Sequence, residues 1–186
     1  MSKQSHLKGL LFFCLKFLVL VTVLVVVWWL AIPAYGYLLI QVTGGVLKGV
    51  MGVAIEAGRI ETGGVLNTDS LLVFVHDGGI ASKMPIALLV TNLPPYWALV
   101  LATAGLRWRR RLAILGYGSA ILVFSHVLHI VVVLKYGAVL QRVSEVPTAV
   151  AQFYLTLPFL LWIVLAYWDR IGALLGENDG GDGPSD

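Results

Sequence analysis

Apolar runs broken by short polar punctuation organise this chain. The first run covers 17–40 and carries no charged residue. A membrane-crossing helix needs about 20 apolar residues, and this run is longer. Three more follow, within 85–106, over 112–134 and over 146–168, the last interrupted by Pro158. The pattern predicts an all-α membrane protein with four transmembrane helices, both termini on one side.

The second run has two registers. One is a helix over 85–106 kinked at Pro94-Pro95. The other starts at Pro95, with Thr91 or Asn92 as N-cap and proline in the first turn. The second register is favoured because it gives the double proline a place. It leaves about 13 residues before Arg107, or roughly 20 Å of helix, short for a core near 30 Å.

Between the first two runs the periodicity changes. Residues 41–84 form the longest segment between spans. Its first part can extend the first helix, with Val46, Val50, Val53 and Ala57 on one stripe. Glycine clusters then bracket short β-prone runs. Leu71, Leu72, Val73, Phe74 and Val75 make the best strand, closed by the turn His76-Asp77-Gly78-Gly79. A small outward-facing β-hairpin is expected, leaning on the helices or on a partner, because a lone hairpin is marginal in water.

Composition agrees with the pattern. Hydrophobic residues make up 59% of the 186 and charged residues 12%, with a mean hydropathy of +0.88. That leaves too little polar surface to cover a soluble core. The run at 17–40 exceeds the apolar core of a cleaved signal peptide, so a permanent anchor is expected. The domain reading is a basic N-terminus (1–16), a membrane domain (17–168, with 41–84 external) and an acidic, glycine-rich tail (169–186).

Charge sets the orientation. Lys3, Lys8, Lys16, Arg107, Arg109, Arg110, Arg111 and Arg170 fall on one side. Lys48, Arg59, Lys83, Lys135 and Arg142 fall on the other. The positive-inside rule places both termini and the arginine knot in the cytoplasm, in a plasma membrane (the inner membrane of a bacterium). The four arginines are topology determinants and can also hold anionic lipid headgroups. Nothing in the net charge of +3 points to nucleic acid.

Candidate chemistry is sparse. His126 and His129 share a helix face, and ionisable residues inside a membrane are functional candidates by default. The plainer reading is interhelical hydrogen bonding, for instance to Gln152 or Thr156. Thr91, Asn92 and Tyr96 stand at a helix start, where free amides can hold an anion or polarise a carbonyl; the plainer reading is capping. Tyr96-Trp97 and Tyr167-Trp168 suit membrane interfaces. Ala98/Ala102 and Gly116/Ala120 are small-residue pairs that allow close helix packing. The single cysteine, Cys14, permits no intrachain disulfide and reads as a buried, inert thiol. His76-Asp77 reads as turn chemistry. No cluster completes a metal site around the histidines, and no cofactor is implied.

The segment from T-N-L-P-P-Y-W to S-H-V-L-H-I resembles the exosortase and archaeosortase family, membrane transpeptidase-like enzymes that process proteins bearing a C-terminal sorting signal. Their pattern has a cysteine at an outward helix start, an arginine in an Asn-x-x-Arg-Ile setting and a later histidine. Here Ser125 or His126 stands at the Asn setting and His129-Ile130 at Arg-Ile. The cysteine, arginine and last histidine are unmatched, so no catalytic role carries over. The layout is closer to the small membrane proteins associated with exosortase H. That resemblance spans about 17–168 as architecture. It implies a non-catalytic accessory protein beside a membrane sorting enzyme. On that reading the outward segment 53–84, with the strand run 71–75 in it, and the helix start at 91–97 form the contact surface, and an exposed strand edge there can pair with an extended partner peptide. Two other readings stay open. One is an intramembrane peptidase or transferase using His126 or His129 as base and Thr91 as nucleophile. The other is a small carrier or channel subunit.

Overall fold

The computed structural model describes residues 3–53, 55–76, 78–86, 91–140 and 146–176. Four helices and a three-stranded antiparallel sheet account for nearly all of them. The 141–145 part of the expected loop, the 177–186 part of the acidic tail, 87–90 and Asp77 lie outside the described residues.

Helix α1 (Lys3–Gly49) has 47 residues and rises roughly 70 Å, more than twice a bilayer core. Its two halves do different things. Leu7, Leu11, Leu15, Leu18, Val23 and Leu30 are exposed along the first half. The second half carries the sheet. The helix ends at Gly49, and Gly52 turns the chain with φ 63. The expected continuation through Val53 and Ala57 is therefore corrected. Val53 N–H returns to the Leu47 carbonyl at 3.0 Å, and Ala57 belongs to a strand.

Strands β1 (Ile55–Glu61), β2 (Leu71–His76) and β3 (Ala81–Pro85) pair in sequence order. The expected hairpin is thus β2–β3, with Gly78 and Gly79 at φ 91 and 77 in its turn, and β1 adds a third strand. Gly58 pairs with Phe74, and Val73 lies between Arg59 and Lys83. Leu72 and Phe74 are fully buried. One face of the sheet lies on α1, where Gly36 and Gly58 let it close in: a Cβ on Gly36 would meet Ile60 and one on Gly58 would meet Ile40.

The sheet is also tied to α1 through a helix defect. Pro33 sits inside α1 and has no N–H to give to the carbonyl four residues back. That carbonyl, of Trp29, accepts from the Asn67 amide at 3.2 Å. Asn67 lies in the short 3-10 turn Val65–Asn67 at φ 63, a region asparagine tolerates better than most residues.

Helix α2 (Leu93–Ala102) has 10 residues, or about 15 Å. It takes the shorter register, with prolines in its first turn and Asn92 at the N-cap. It packs against α1, α3 (Trp108–Leu140) and α4 (Val146–Gly176). Its C-terminal carbonyls are met by basic side chains: Lys16 Nζ donates to Leu101 O at 2.9 Å, and Arg111 to Thr103 O just beyond at 2.7 Å. Trp162 Nε1 of α4 donates to the Thr103 hydroxyl at 2.8 Å. Close approach of α2 to α3 rests on Gly118, where a methyl would overlap the Tyr96 ring. Ala98 and Ala102 are buried as the pair pattern expects, but Gly116 and Ala120 are exposed, so the α3 half of that expectation is corrected to Gly118.

Among the described residues, α1 (over Leu7–Gly49) and α3 (over Trp108–Tyr136) are long and apolar enough to cross a membrane. The apolar stretches of α2 and α4 found there are shorter.

Candidate functional site

His126 is the fully buried polar residue on which the bundle converges. Its Nδ1 lies 2.7 Å from the Tyr35 hydroxyl of α1, and its Nε2 lies 3.1 Å from Oδ1 of Asn92 at the start of α2. An amide oxygen only accepts, so Nε2 carries the proton and donates to Asn92. Nδ1 is then bare and accepts from Tyr35. Both nitrogens are used, and three separate segments are joined through one ring.

An aromatic shell closes around this ring. Tyr154 of α4 stands 5.8 Å from His126 and 5.3 Å from His129, centroid to centroid. Its hydroxyl donates to the Ser125 carbonyl at 2.7 Å. Trp28 lies 5.0 Å from Tyr35 and 5.2 Å from Trp97. Trp97 Nε1 donates to the Ser119 hydroxyl at 2.8 Å.

The partners of His126 differ from those expected. Gln152 and Thr156 are exposed, and the Thr156 hydroxyl bonds its own helix at Gln152 and Phe153. Asn92 occupies the N-cap position without a side-chain cap bond, because its amide oxygen is committed to His126. Capping is therefore not its role. Its Nδ2 is buried with no hydrogen-bond partner. Thr91 beside it is exposed. His129 is partly buried and faces a groove of about 530 Å³ between α3 and α4, with Phe124 and Phe153 in its walls.

Tyr96 is a core residue instead of an interfacial one: it is fully buried, and its hydroxyl donates to the Ile114 carbonyl. Cys14 is exposed on α1, which corrects the expectation of a buried thiol. His76 Nε2 and the Ser82 hydroxyl lie 3.0 Å apart across β2 and β3. Of the arginine knot, Arg107 and Arg109 are exposed, whereas Arg111 is drawn into the fold by Thr103.

The run Leu71, Leu72, Val73, Phe74, Val75 cannot offer a strand edge to a partner. It lies in the central strand, paired on both sides, and Leu72, Val73 and Phe74 are fully buried. The open edges belong to β1 and β3. Glu61 bridges Arg59 and Lys83 on the exposed face, both at 2.9 Å. Those two hydrogen-bonded cations hold its carboxyl below the usual glutamate range.

Sequence reasoning missed Tyr35, Tyr154 and Trp28. The available signal was that a buried histidine needs partners, and hydroxyls on other apolar runs are the natural suppliers. Among the described residues no group of three or more His, Cys, Asp or Glu comes together as a metal site. No protein-family model, curated protein or solved structure matches this chain.

Proposed function

We propose that this chain is an integral membrane protein with a non-catalytic, accessory role, holding a small rigid sheet at a set height above the bilayer for a membrane-protein partner. The observation that carries this is the continuity of α1. Its exposed apolar half, Leu7 to Leu30, forms a surface that a soluble monomer does not leave bare and that suits lipid. The same helix runs without a break beneath the sheet, to which it is joined by Asn67 and by close contact at Gly36 and Gly58. A rigid helix shared by both parts transmits position, which is what an accessory subunit supplies.

The charge distribution supports cytoplasmic termini and an outward-facing sheet. α2 then enters the membrane without crossing it alone, continued by the basic turn. Such a backbone is tolerated because α2 is surrounded by the other three helices. The partner, on the resemblance alone, is a membrane-embedded sorting enzyme.

The catalytic alternative has less support. His126 has both nitrogens engaged by neutral partners and so lacks a free lone pair for a nucleophile. The carrier alternative needs a polar pathway, and the polar groups of the interior are largely spent on each other.

The partner's place is the edge of β1. Both edge strands carry charges, Glu56, Arg59 and Glu61 on β1 and Lys83 on β3, but β3 also ends in Pro85, which has no N–H for an incoming strand, whereas β1 contains no proline. A photocrosslinking amino acid at Ala57 in intact membranes should yield one stoichiometric membrane-protein adduct. A matched probe at exposed Tyr117 on α3 should not. Equal adducts from both positions, or none from Ala57, would count against an accessory role.

A further inference from the structure

Asn92 borders a ligand-sized space and carries a buried amide nitrogen without a hydrogen-bond partner. Asn92 is 5% exposed, and its Nδ2 has no hydrogen-bond partner. The residue lines a slot of about 250 Å³ between α1, α2 and α4. Phe17, Val21, Pro95, Pro158 and Phe159 supply apolar walls, with Thr91 and Tyr154 beside Asn92 at the polar end. A donor left unmet in such a place costs stability, so an acceptor is called for. The amide cannot flip to place its oxygen there instead, because Oδ1 accepts the proton of His126.

We infer that this slot binds one acyl chain of a membrane glycerophospholipid, with the ester carbonyl accepting from Asn92 Nδ2. The inference rests on the membrane reading above. Four features select this occupant. The walls are apolar, and an apolar cavity of this size stays dry or takes an apolar guest. The slot opens at the bundle surface, where its wall residues Leu155 and Phe159 are exposed, and in a bilayer that surface meets acyl chains. The acceptor is neutral, since the nearby Lys16 ammonium is committed to the Leu101 carbonyl, leaving no cation among the slot's walls for a carboxylate. The slot reaches from Asn92 down to Phe17, next to the Lys16 that meets the far end of α2. It therefore follows α2 into the membrane, the direction an acyl chain takes from its ester.

The test uses the full chain reconstituted in phosphatidylethanolamine and phosphatidylglycerol vesicles containing a phospholipid with a diazirine in its acyl chain and a ¹³C-labelled ester carbonyl. Photolabelling should concentrate on Phe17, Phe159 and Leu155, with one phospholipid retained per chain after delipidation. Leu155→Trp, at an exposed rim position, should block the slot and abolish that labelling while Leu18 and Val19 on the open face of α1 label as before. Asn92→Leu should remove the hydrogen-bonded ester band from the infrared spectrum and lower retention roughly fivefold, the equivalent of about 1 kcal/mol. Labelling at Leu155 no stronger than at Leu18, or a retained lipid indifferent to Leu155→Trp, overturns the acyl-chain site and leaves the membrane reading intact. A chain that fails to float with vesicles and labels nowhere on α1 overturns both.

Discussion

Asn67 donates to the Trp29 carbonyl at 3.2 Å, across 38 residues of sequence, and it does so because Pro33 leaves that carbonyl unserved. The pair converts a helix defect into the anchor of the sheet. Pro33→Ala would supply the missing N–H. Asn67→Gly, which keeps the φ of 63 easy, should cost about 0.5–1.5 kcal/mol in the native chain and clearly less in the Pro33→Ala background. Thermal unfolding of the four proteins in detergent measures the cycle. Equal costs in the two backgrounds would show that the two positions are not coupled.

The His126 junction predicts a second cycle. Tyr35→Phe and Asn92→Ala each strip one ring nitrogen of its partner, and interhelical bonds of this kind in membranes average about 0.6 kcal/mol and reach about 1.7. Because both act through one ring, their effects should be non-additive by about 0.5 kcal/mol or more. Simple additivity in chemical or thermal unfolding would mean that the ring does not link the helices.

Gly118 and Gly116 differ by two positions and should differ in sign. A methyl at Gly118 overlaps the Tyr96 ring, itself fixed by the Ile114 carbonyl, so Gly118→Ala should destabilise by about 1–3 kcal/mol. Gly116 has open space around it, so Gly116→Ala should be neutral or stabilising by up to about 1 kcal/mol. Tyr96→Leu should make room and rescue Gly118→Ala. Failure of that rescue would place the strain elsewhere.

Acid should loosen the sheet through Glu61. Its carboxyl is held low by Lys83 and Arg59, so the folded state binds its proton less readily than the unfolded chain. Its contribution is fully present above the unfolded value, about 4.3, and is lost as pH falls through the lower folded value. Hydrogen exchange of β1 and β3 should therefore rise on acidification below that point. Glu61→Gln should remove that pH dependence. An unchanged profile in Glu61→Gln would assign it to another group.

Labelling tests the proposed orientation. In a Cys14→Ser background, Lys83→Cys should react with a membrane-impermeant maleimide on intact cells. Arg109→Cys should react only after permeabilisation. The reverse pattern would invert the protein in the membrane.

Much of the architecture was legible in the pattern of residues. Long uncharged runs can only be helices that bury or face apolar surroundings, so the helical layout and the short register of α2 followed from spacing and from Pro94-Pro95. Leu71 to Val75 was readable as a strand because β-branched and aromatic residues sat between glycine turns. Local rules carry that far because helix length, turn chemistry and proline geometry depend on near neighbours.

The site was only half legible. A histidine in an apolar run announces that it needs partners, but not which ones. Tyr35, Asn92 and Tyr154 come from three other segments, and their meeting at His126 depends on helix rotation and depth, which periodicity leaves open. The same holds for β2. Its central place, and so the closure of its edges, was decided by β1 folding back from the end of α1. The chain by itself determined which segments are apolar and where they turn. Only the tertiary structure decided which polar groups satisfy one another, because a buried hydrogen bond is a relation between distant residues set by packing.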